Sequence, residues 1–418
     1  DQIYVIVGHG AEAVRAYLGE RATYVMQEEQ LGTGHAVLQA ESQLAERAGT
    51  TVIVCGDTPL ITSQTIAKLV EEHEADRAAA TVMTAVLEDP GSLGRIIRDE
   101  EGNVQAIVEH KDCTEEQAAI KEINTGTYIF DNRKLFAALG KVTNENAQQE
   151  YYLTDVIRIL CDEGEIVKGA PVEDIAETVG VNDRAALAEA ERFMRERINK
   201  RHMLNGVTII DPANTYIESD VVIGADCVIH PGSSLKGKTT IDEDCVIGPQ
   251  VEISDSRLGS GVHVKYAVLH DASVGDRTNI GPFAYLRPGT VVASDVKIGD
   301  FVEIKNANIG QGSKVPHLSY VGDADVGEGV NIGCGVITAN YDGVNKNRTV
   351  IEDEAFIGSN SNLIAPVTVG KGAYVVAGST ITQDVPEDSM AIARQRQTNK
   401  LGYATRLKAR IKSKNKES

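Results

Sequence analysis

From about Ile217 to about Val385 an aliphatic residue returns at every sixth position. Ile217, Ile223, Ile229, Leu235, Ile241, Ile247 and Ile253 hold one register. Val274, Ile280, Leu286, Val292, Ile298 and Ile304 hold a second, and Ile351, Ile357, Leu363, Val369, Val375 and Ile381 a third. A helix repeats near 3.6 residues and a strand near 2, so a hexad excludes an amphipathic helix as the repeating unit. Six residues fit one short strand and one turn, and a fixed period of that kind marks a solenoid. Three hexads per coil predict a triangular prism of parallel strands, with the aliphatic stack as its axis. Gly often follows the aliphatic, as at Gly224, Gly248, Gly281, Gly299, Gly358 and Gly370. The expectation is that these glycines turn the corners at positive φ. One segment is too long for a corner, Asn340 to Arg348, and an insertion in a repeat protein usually maps to a binding face.

Residues 1–182 read differently. Ile3–Val7, Thr51–Cys55, Ala80–Val86 and Thr127–Phe130 look like buried strands. Helical patterns fall at Ala11–Leu18, Gly34–Leu44, Ser63–Glu74 and Leu153–Cys161. Alternation of this kind predicts an α/β, Rossmann-like domain with a mostly parallel sheet and ligands at the carboxyl ends of strands. Asn182 or Asp183 can cap a helix that runs to about Leu204, with Leu187, Ala190, Met194 and Ile198 on one face and Gly206 ending it. The expected organisation is therefore a globular domain 1–182, a linker helix 183–206, a solenoid 207–393 and a tail 394–418.

Charge narrows the functions. Of 418 residues, 41 are Lys or Arg and 61 are Asp or Glu, a net charge of −20, which argues against nucleic acid as a partner. The exception is the tail, where Arg394, Arg396, Lys400, Arg406, Lys408, Arg410, Lys412, Lys414 and Lys416 crowd together. This reads as a solvated end or as an anion-binding one. Six scattered cysteines with no C-x-x-C pair suit a reducing cytoplasm and supply no zinc site. No apolar run is long enough to span a bilayer, so no membrane role is expected.

In the first domain, Gln27 to Ala36 form a polar, Gly-rich loop running into a helix, a place where backbone N–H groups can receive a base or a phosphate. Strand 51–54 runs into Cys55-Gly56-Asp57, and a carboxylate just after a buried strand can hold Mg²⁺ beside phosphates. Gly91 to Arg95, Ile107 to Lys111 and Glu122 to Gly126 follow. In this order the segments resemble the sugar-phosphate nucleotidylyltransferases. With the hexads, nearly the whole chain is similar to the bacterial family of bifunctional N-acetylglucosamine-1-phosphate uridylyltransferases and glucosamine-1-phosphate acetyltransferases. The resemblance implies a left-handed parallel β-helix and a cytoplasmic homotrimer whose acetyl-transfer sites lie between neighbouring prisms. It implies UTP, glucosamine-1-phosphate, N-acetylglucosamine-1-phosphate and acetyl-CoA as partners. Uracil contacts are expected at Gln27, Gly32 and Thr33, with Gly56 nearby, sugar contacts at Gly94, Glu109 and Asn124, and Mg²⁺ ligation by Asp57 and Asn182. The family opens with a strand and a Gly-rich loop bearing Arg and Lys toward the triphosphate, and here Ile3–Val7 already reads as a buried strand. The expectation is a chain that begins inside its first domain and performs uridylyl transfer poorly.

In the solenoid, acyl transfer to an amine needs a proton acceptor, cations for a sugar phosphate and donors for an oxyanion. His317 suits the first, since imidazole as a side-chain type titrates near neutrality, and Arg287 and Lys305 suit the second. The family resemblance matches His317 to the general base. It matches Arg287, Lys305, Tyr320, Asn331 and Lys346, with Asn340, to the sugar-phosphate site. Cys334, Asn340, Tyr341, Ser359, Ala377 and Arg394 match positions around acetyl-CoA. Cys334 stands where Ala is common, and Arg396 and Gln397 replace a more Pro-containing version. Three other readings have discriminating features. A γ-type carbonic anhydrase needs three clustered His, which the spacing of His230, His263 and His270 does not suggest. A single-activity nucleotidylyltransferase or a trimeric scaffold would have no use for His317, Tyr320 and Asn340 together.

Overall fold

A computed structural model describes residues 2–414. The chain divides into two compact units, Asp1–Met194 and Arg195–Ser418. The division falls within a single helix, α8 (Arg184–Leu204).

In the first unit, β1 (Tyr4–Val7) pairs in parallel with β2 (Thr23–Met26) across α1 (Ala11–Leu18). A separate six-stranded sheet holds β3 (Thr50–Ile53), β4 (Ala80–Val86), β5 (Arg95–Arg98), β6 (Val104–Val108), β7 (Glu122–Asp131) and β8 (Val167–Pro171). The mostly parallel sheet expected from alternation is corrected here. β7 runs antiparallel to β3, β4 and β5, and only β4–β8 is parallel within this sheet. The reason lies in the connections: β5 and β6 form a hairpin, and β7 is a ten-residue strand that reaches three neighbours. The helical pattern 34–44 is also two pieces, α2 (Thr33–Leu38) and α3 (Glu41–Leu44). The strand pattern at Thr127–Phe130 is the second half of β7. Between α4 (Ser63–Ala75) and the loops beyond the sheet lie α5 (Glu115–Ala118), α6 (Asn132–Leu139) and α7 (Asp155–Asp162). The apolar faces of α6 and α7 cover a core of Val82, Ile96, Phe130, Leu135, Val156 and Leu160.

Asp183 starts α8, accepting from the Ala186 N–H at 2.8 Å, and Gly206 follows its end at φ 93°. Ala190 and Ile198 are buried on the expected face, but Leu187 is exposed. Within the second unit, Asn199 of α8 donates to the carbonyls of Pro212 (2.9 Å) and Thr215 (3.1 Å), tying the helix to the first coil.

The second unit is a three-sided coil of parallel strands. Among the described residues its faces contain ten, nine and eleven strands. On the first face Ile217 pairs with Leu235, Leu235 with Ile253, and later Leu286 with Ile304. Ile223 and Ile241 pair on the second face, Ile229 and Ile247 on the third. Each hexad aliphatic therefore stacks on the one three hexads later, and these residues are buried. The break in register after Ile253 has a local cause: Leu258 pairs with Val274, so that coil is shorter than eighteen residues.

The role expected for the hexad glycines needs correction. Only Gly248 (φ 100°) and Gly281 (φ 96°) take positive φ. Gly224, Gly299, Gly358 and Gly370 are required for a different reason, the approach of the next coil. A Cβ on Gly224 would lie 2.7 Å from the Glu243 nitrogen, and one on Gly358 2.4 Å from the Ala377 nitrogen. Left-handed corner positions are instead occupied by polar or aromatic residues such as Asp226, Asp244, Phe283, Phe301 and Asp323.

Candidate functional sites

In the first unit, the loop before α2 is tied to a distant segment. Gln27 Nε2 donates to the Gly32 carbonyl (3.2 Å) and meets His35 Nδ1 (3.0 Å). The Gly34 N–H donates to Tyr151 O (2.8 Å), and the Leu153 N–H to Thr33 Oγ1 (3.1 Å). Gly32 sits at φ 110° with Tyr151 O where its Cβ would be, so no other residue fits.

Asp57 and Asn182 lie beside the same glycine, Gly180. The Val181 N–H donates to Asp57 O (2.7 Å). A Cβ on Gly180 would lie 3.7 Å from Asp57 Oδ2 and 3.8 Å from the Asn182 amide, so the two side chains flank one point. One carboxylate and one amide oxygen suit a hard cation that keeps waters and phosphate oxygens as its remaining ligands. Among the described residues no three His, Cys, Asp or Glu gather as a fuller metal cage. Gly56 leaves open space beside Asp57.

Gly94, Glu109 and Asn124 also converge. The Asn124 N–H donates to Gly94 O (2.9 Å), its side chain to Tyr128 Oη (2.7 Å), and Thr154 Oγ1 to Glu109 (3.3 Å). Burial pushes the Glu109 carboxyl up, and the Thr154 bond only partly opposes this.

In the second unit the expected residues sort onto two corners. At the corner joining the third face to the first, one backbone ladder links five coils. The Leu318 N–H donates to Asp300 O (2.9 Å), Gly335 to His317 O (3.4 Å), Asn360 to Cys334 O (2.8 Å) and Gly378 to Ser359 O (2.8 Å). His317, Cys334 and Ser359 thus occupy equivalent places in successive coils, with Ala377 next. Arg394 reaches this edge, its Cδ 3.8 Å from where a Gly378 Cβ would stand. Asn331 lies on the adjoining third face, paired with Lys314 and Phe356. The His317 imidazole is 55% exposed, and its Nδ1 meets Asp300 Oδ1 at 2.5 Å. That bond holds the Asp300 carboxyl below the usual carboxylate range and leaves Nε2 as the outward nitrogen.

The corner joining the first face to the second collects the cations. Arg287 is paired with Glu303 at 2.8 Å. Lys305 and Lys346 lie close enough that Lys305 lowers the ammonium pKa of Lys346. Tyr320 lies along its strand over Gly322, where a Cβ would be 2.3 Å from the phenol oxygen. That oxygen meets the Asn340 amide at 3.4 Å. The insertion 340–348 is a preformed turn. Asp342 accepts from the N–H groups of Val344 (2.9 Å) and Asn345 (2.6 Å), and Tyr341, which is exposed, bridges to Lys346. His317 and the Lys305–Lys346 pair therefore belong to different corners of the prism, at opposite ends of the first face.

Two acidic residues here escaped the reading of motifs, Asp300 and Asp323. Each sits seventeen positions from a residue it holds, His317 or Asn340. That offset is one coil, so laying successive coils side by side would have revealed both. Of the basic tail, Tyr403–Lys414 forms α9, and Lys416 lies outside the described residues.

The architecture is that of a nucleotidyl transferase joined to a hexapeptide-repeat transferase, and comparison with known proteins agrees. The nucleotidyl transferase family model matches residues 1–176, and the bacterial transferase hexapeptide (six repeats) model matches 220–255 and 348–383. The second unit is thus a left-handed parallel β-helix. The bifunctional protein GlmU of Brevibacillus brevis is 60% identical over 405 residues, covering 97% of this chain and 88% of that protein. Those of Geobacillus sp. strain WCH70 (58%) and Listeria monocytogenes serotype 4b (55%) each cover 97% of this chain and 89% of theirs. The chain belongs to the bifunctional GlmU family, and it is a transferase enzyme. No helix among the described residues is long and apolar enough to cross a membrane.

Proposed function

We propose that this chain performs two steps of UDP-N-acetylglucosamine synthesis in the cytoplasm. The β-helix moves the acetyl group of acetyl-CoA onto the amine of glucosamine-1-phosphate. The carrying observation is the Asp300–His317 contact on the same corner ladder as Cys334 and Ser359. With Nδ1 engaged, Nε2 takes the proton from the amine as nitrogen attacks the thioester carbonyl carbon. The C–S bond breaks as the tetrahedral intermediate collapses, and the coenzyme leaves as its thiol. Arg287, Lys305 and Lys346 hold the phosphate, Tyr320 and Asn340 orient the sugar, and Asn331 completes the acceptor side. Cys334, Asn340, Tyr341, Ser359, Ala377 and Arg394 line the coenzyme. Because base and cations occupy different corners, a homotrimer in which one prism's histidine corner faces its neighbour's lysine corner completes each site.

The globular unit joins the product to UTP. Gln27, Gly32 and Thr33 receive the uracil, Gly94, Glu109 and Asn124 the sugar, and Asp57 and Asn182, beside Gly56, would hold Mg²⁺. Bound there, Mg²⁺ supplies charge neutralisation for the phosphates. Replacing His317 with Ala tests the main reading: acetyl transfer is lost while the fold remains, and unchanged acetyl transfer would refute it.

A further inference from the structure

The lysine corner contains a buried acid that the reaction above does not use. Asp323 is 7% exposed, although it stands at a corner of the prism, where its backbone takes φ 47°. Its Oδ1 accepts from Asn306 Nδ2 at 2.6 Å, and its Oδ2 accepts from Asn340 Nδ2. Its own N–H donates to Lys305 O (2.9 Å), and its carbonyl accepts from the Thr349 N–H (3.0 Å), where the insertion rejoins the prism. The residue thus touches the coil carrying Lys305, the first residue of the insertion and the residue that closes it. Burial disfavours its ionisation, yet the amides of Asn306 and Asn340 and the ammoniums of Lys305 and Lys346 bring its carboxyl below the usual range. No neutral residue would meet both demands here. Two amide N–H groups need acceptors on one side chain, and two adjacent ammoniums need a counter-charge.

We propose that Asp323 is a positioning residue of the acetyl-transfer site, fixing Asn340 for the sugar and setting how tightly the paired lysines hold a phosphate. The inference rests on the sugar-phosphate reading of this corner. A fixed negative charge lets Lys305 and Lys346 sit together without ligand, and the same charge opposes an incoming dianion. Affinity is thereby held down and the product phosphate is released readily. An acid doing only structural work would leave phosphate affinity unchanged or, when removed, loosen it.

The test is D323N, with inorganic phosphate titrated by calorimetry and acetyl transfer measured alongside. Phosphate should bind about tenfold tighter, and kcat should fall at least about tenfold, because Asn306 and Asn340 donate to different oxygens and the amide nitrogen replacing one of them faces a donor without accepting from it. In D323N/K346A the gain in phosphate affinity should disappear. Phosphate binding that is unchanged or weaker in D323N, or a kcat within about twofold of the parent, overturns the proposal. Should D323N not fold, D323E decides: charge is kept, so phosphate affinity stays within about twofold while kcat falls at least about tenfold. A D323E enzyme with parental kcat, or with altered phosphate affinity, overturns it equally. Failure of the functional reading would look different, since the parent chain itself would then transfer no acetyl group.

Discussion

The two units assemble their sites by opposite routes. In the globular unit, the loop at 27–33 depends on Tyr151, and Asp57 meets Asn182 across more than a hundred residues of chain. In the β-helix, the partner of a functional side chain is found one coil away: Asp300 for His317, Asp323 for Asn306. A folded α/β unit thus gathers chemistry through loops that each need their own anchor. A solenoid gathers it by repetition, and a residue's neighbours follow from its position in the coil.

The sharpest way to break this comparison is to disable each site separately. H317A should lower acetyl-transfer kcat by about 10²–10⁴-fold, leave uridylyl transfer unchanged and alter thermal stability only slightly, the imidazole being exposed and its one bond that to Asp300. D57N should do the reverse, removing Mg²⁺-dependent UTP turnover and sparing acetyl transfer. Loss of both activities in either variant, assayed side by side, would mean that the units are not independent. Next in size is a structural probe of coil-to-coil contact. G358A places a methyl group against the Ala377 backbone and should cost about 1–3 kcal/mol, read by chemical denaturation. Gly140, an exposed glycine of the first unit at φ −63° whose Cβ would come no nearer than 3.7 Å to its neighbours, offers the control as G140A.

The smallest expected effect is on pH dependence. The Asp300 carboxyl is depressed by its bond to His317, so its contribution to stability is complete above the ordinary carboxylate value of about 3.9. The contribution is lost as pH falls through the lower folded value. Protection of the Leu318 N–H, which donates to Asp300 O, measured as hydrogen exchange relative to the unstructured-chain rate at each pH, should therefore fall only on acidification below about pH 4. The fall should be absent in D300N. An equal response in both chains would show that the contact carries no weight.

Legibility in the sequence followed the same divide. The prism was readable because burial at one position per strand forces a single strict period, and the site residues fell on that frame. What escaped there was electrostatic. Asp300 and Asp323 look like ordinary corner acids until the coils are aligned, and four of the six hexad glycines looked like turn residues when in fact they make room for the next coil. In the globular unit the strands of β3 and β4 were legible from their composition, but their direction relative to β7 was not. Apolar runs carry no record of strand polarity, which the β5–β6 hairpin and the length of β7 decide. The break between α2 and α3 was hidden for a similar reason, since a helical pattern can continue across two short helices.

The excursion from Asn340 to Arg348 leaves the prism after Ala339 and rejoins it at Thr349, which pairs with Ala324 in the coil below. Its middle is held by its own bonds, largely those of Asp342, while its ends are tied to the coil below, Asn340 to Asp323 and Arg348 to Asp325. The stretch between those two anchors can lengthen, shorten or change sequence without disturbing the stack beneath it. Among enzymes built on this rod, new acceptor preferences would therefore arise by exchanging one cassette while the scaffold stays as it is.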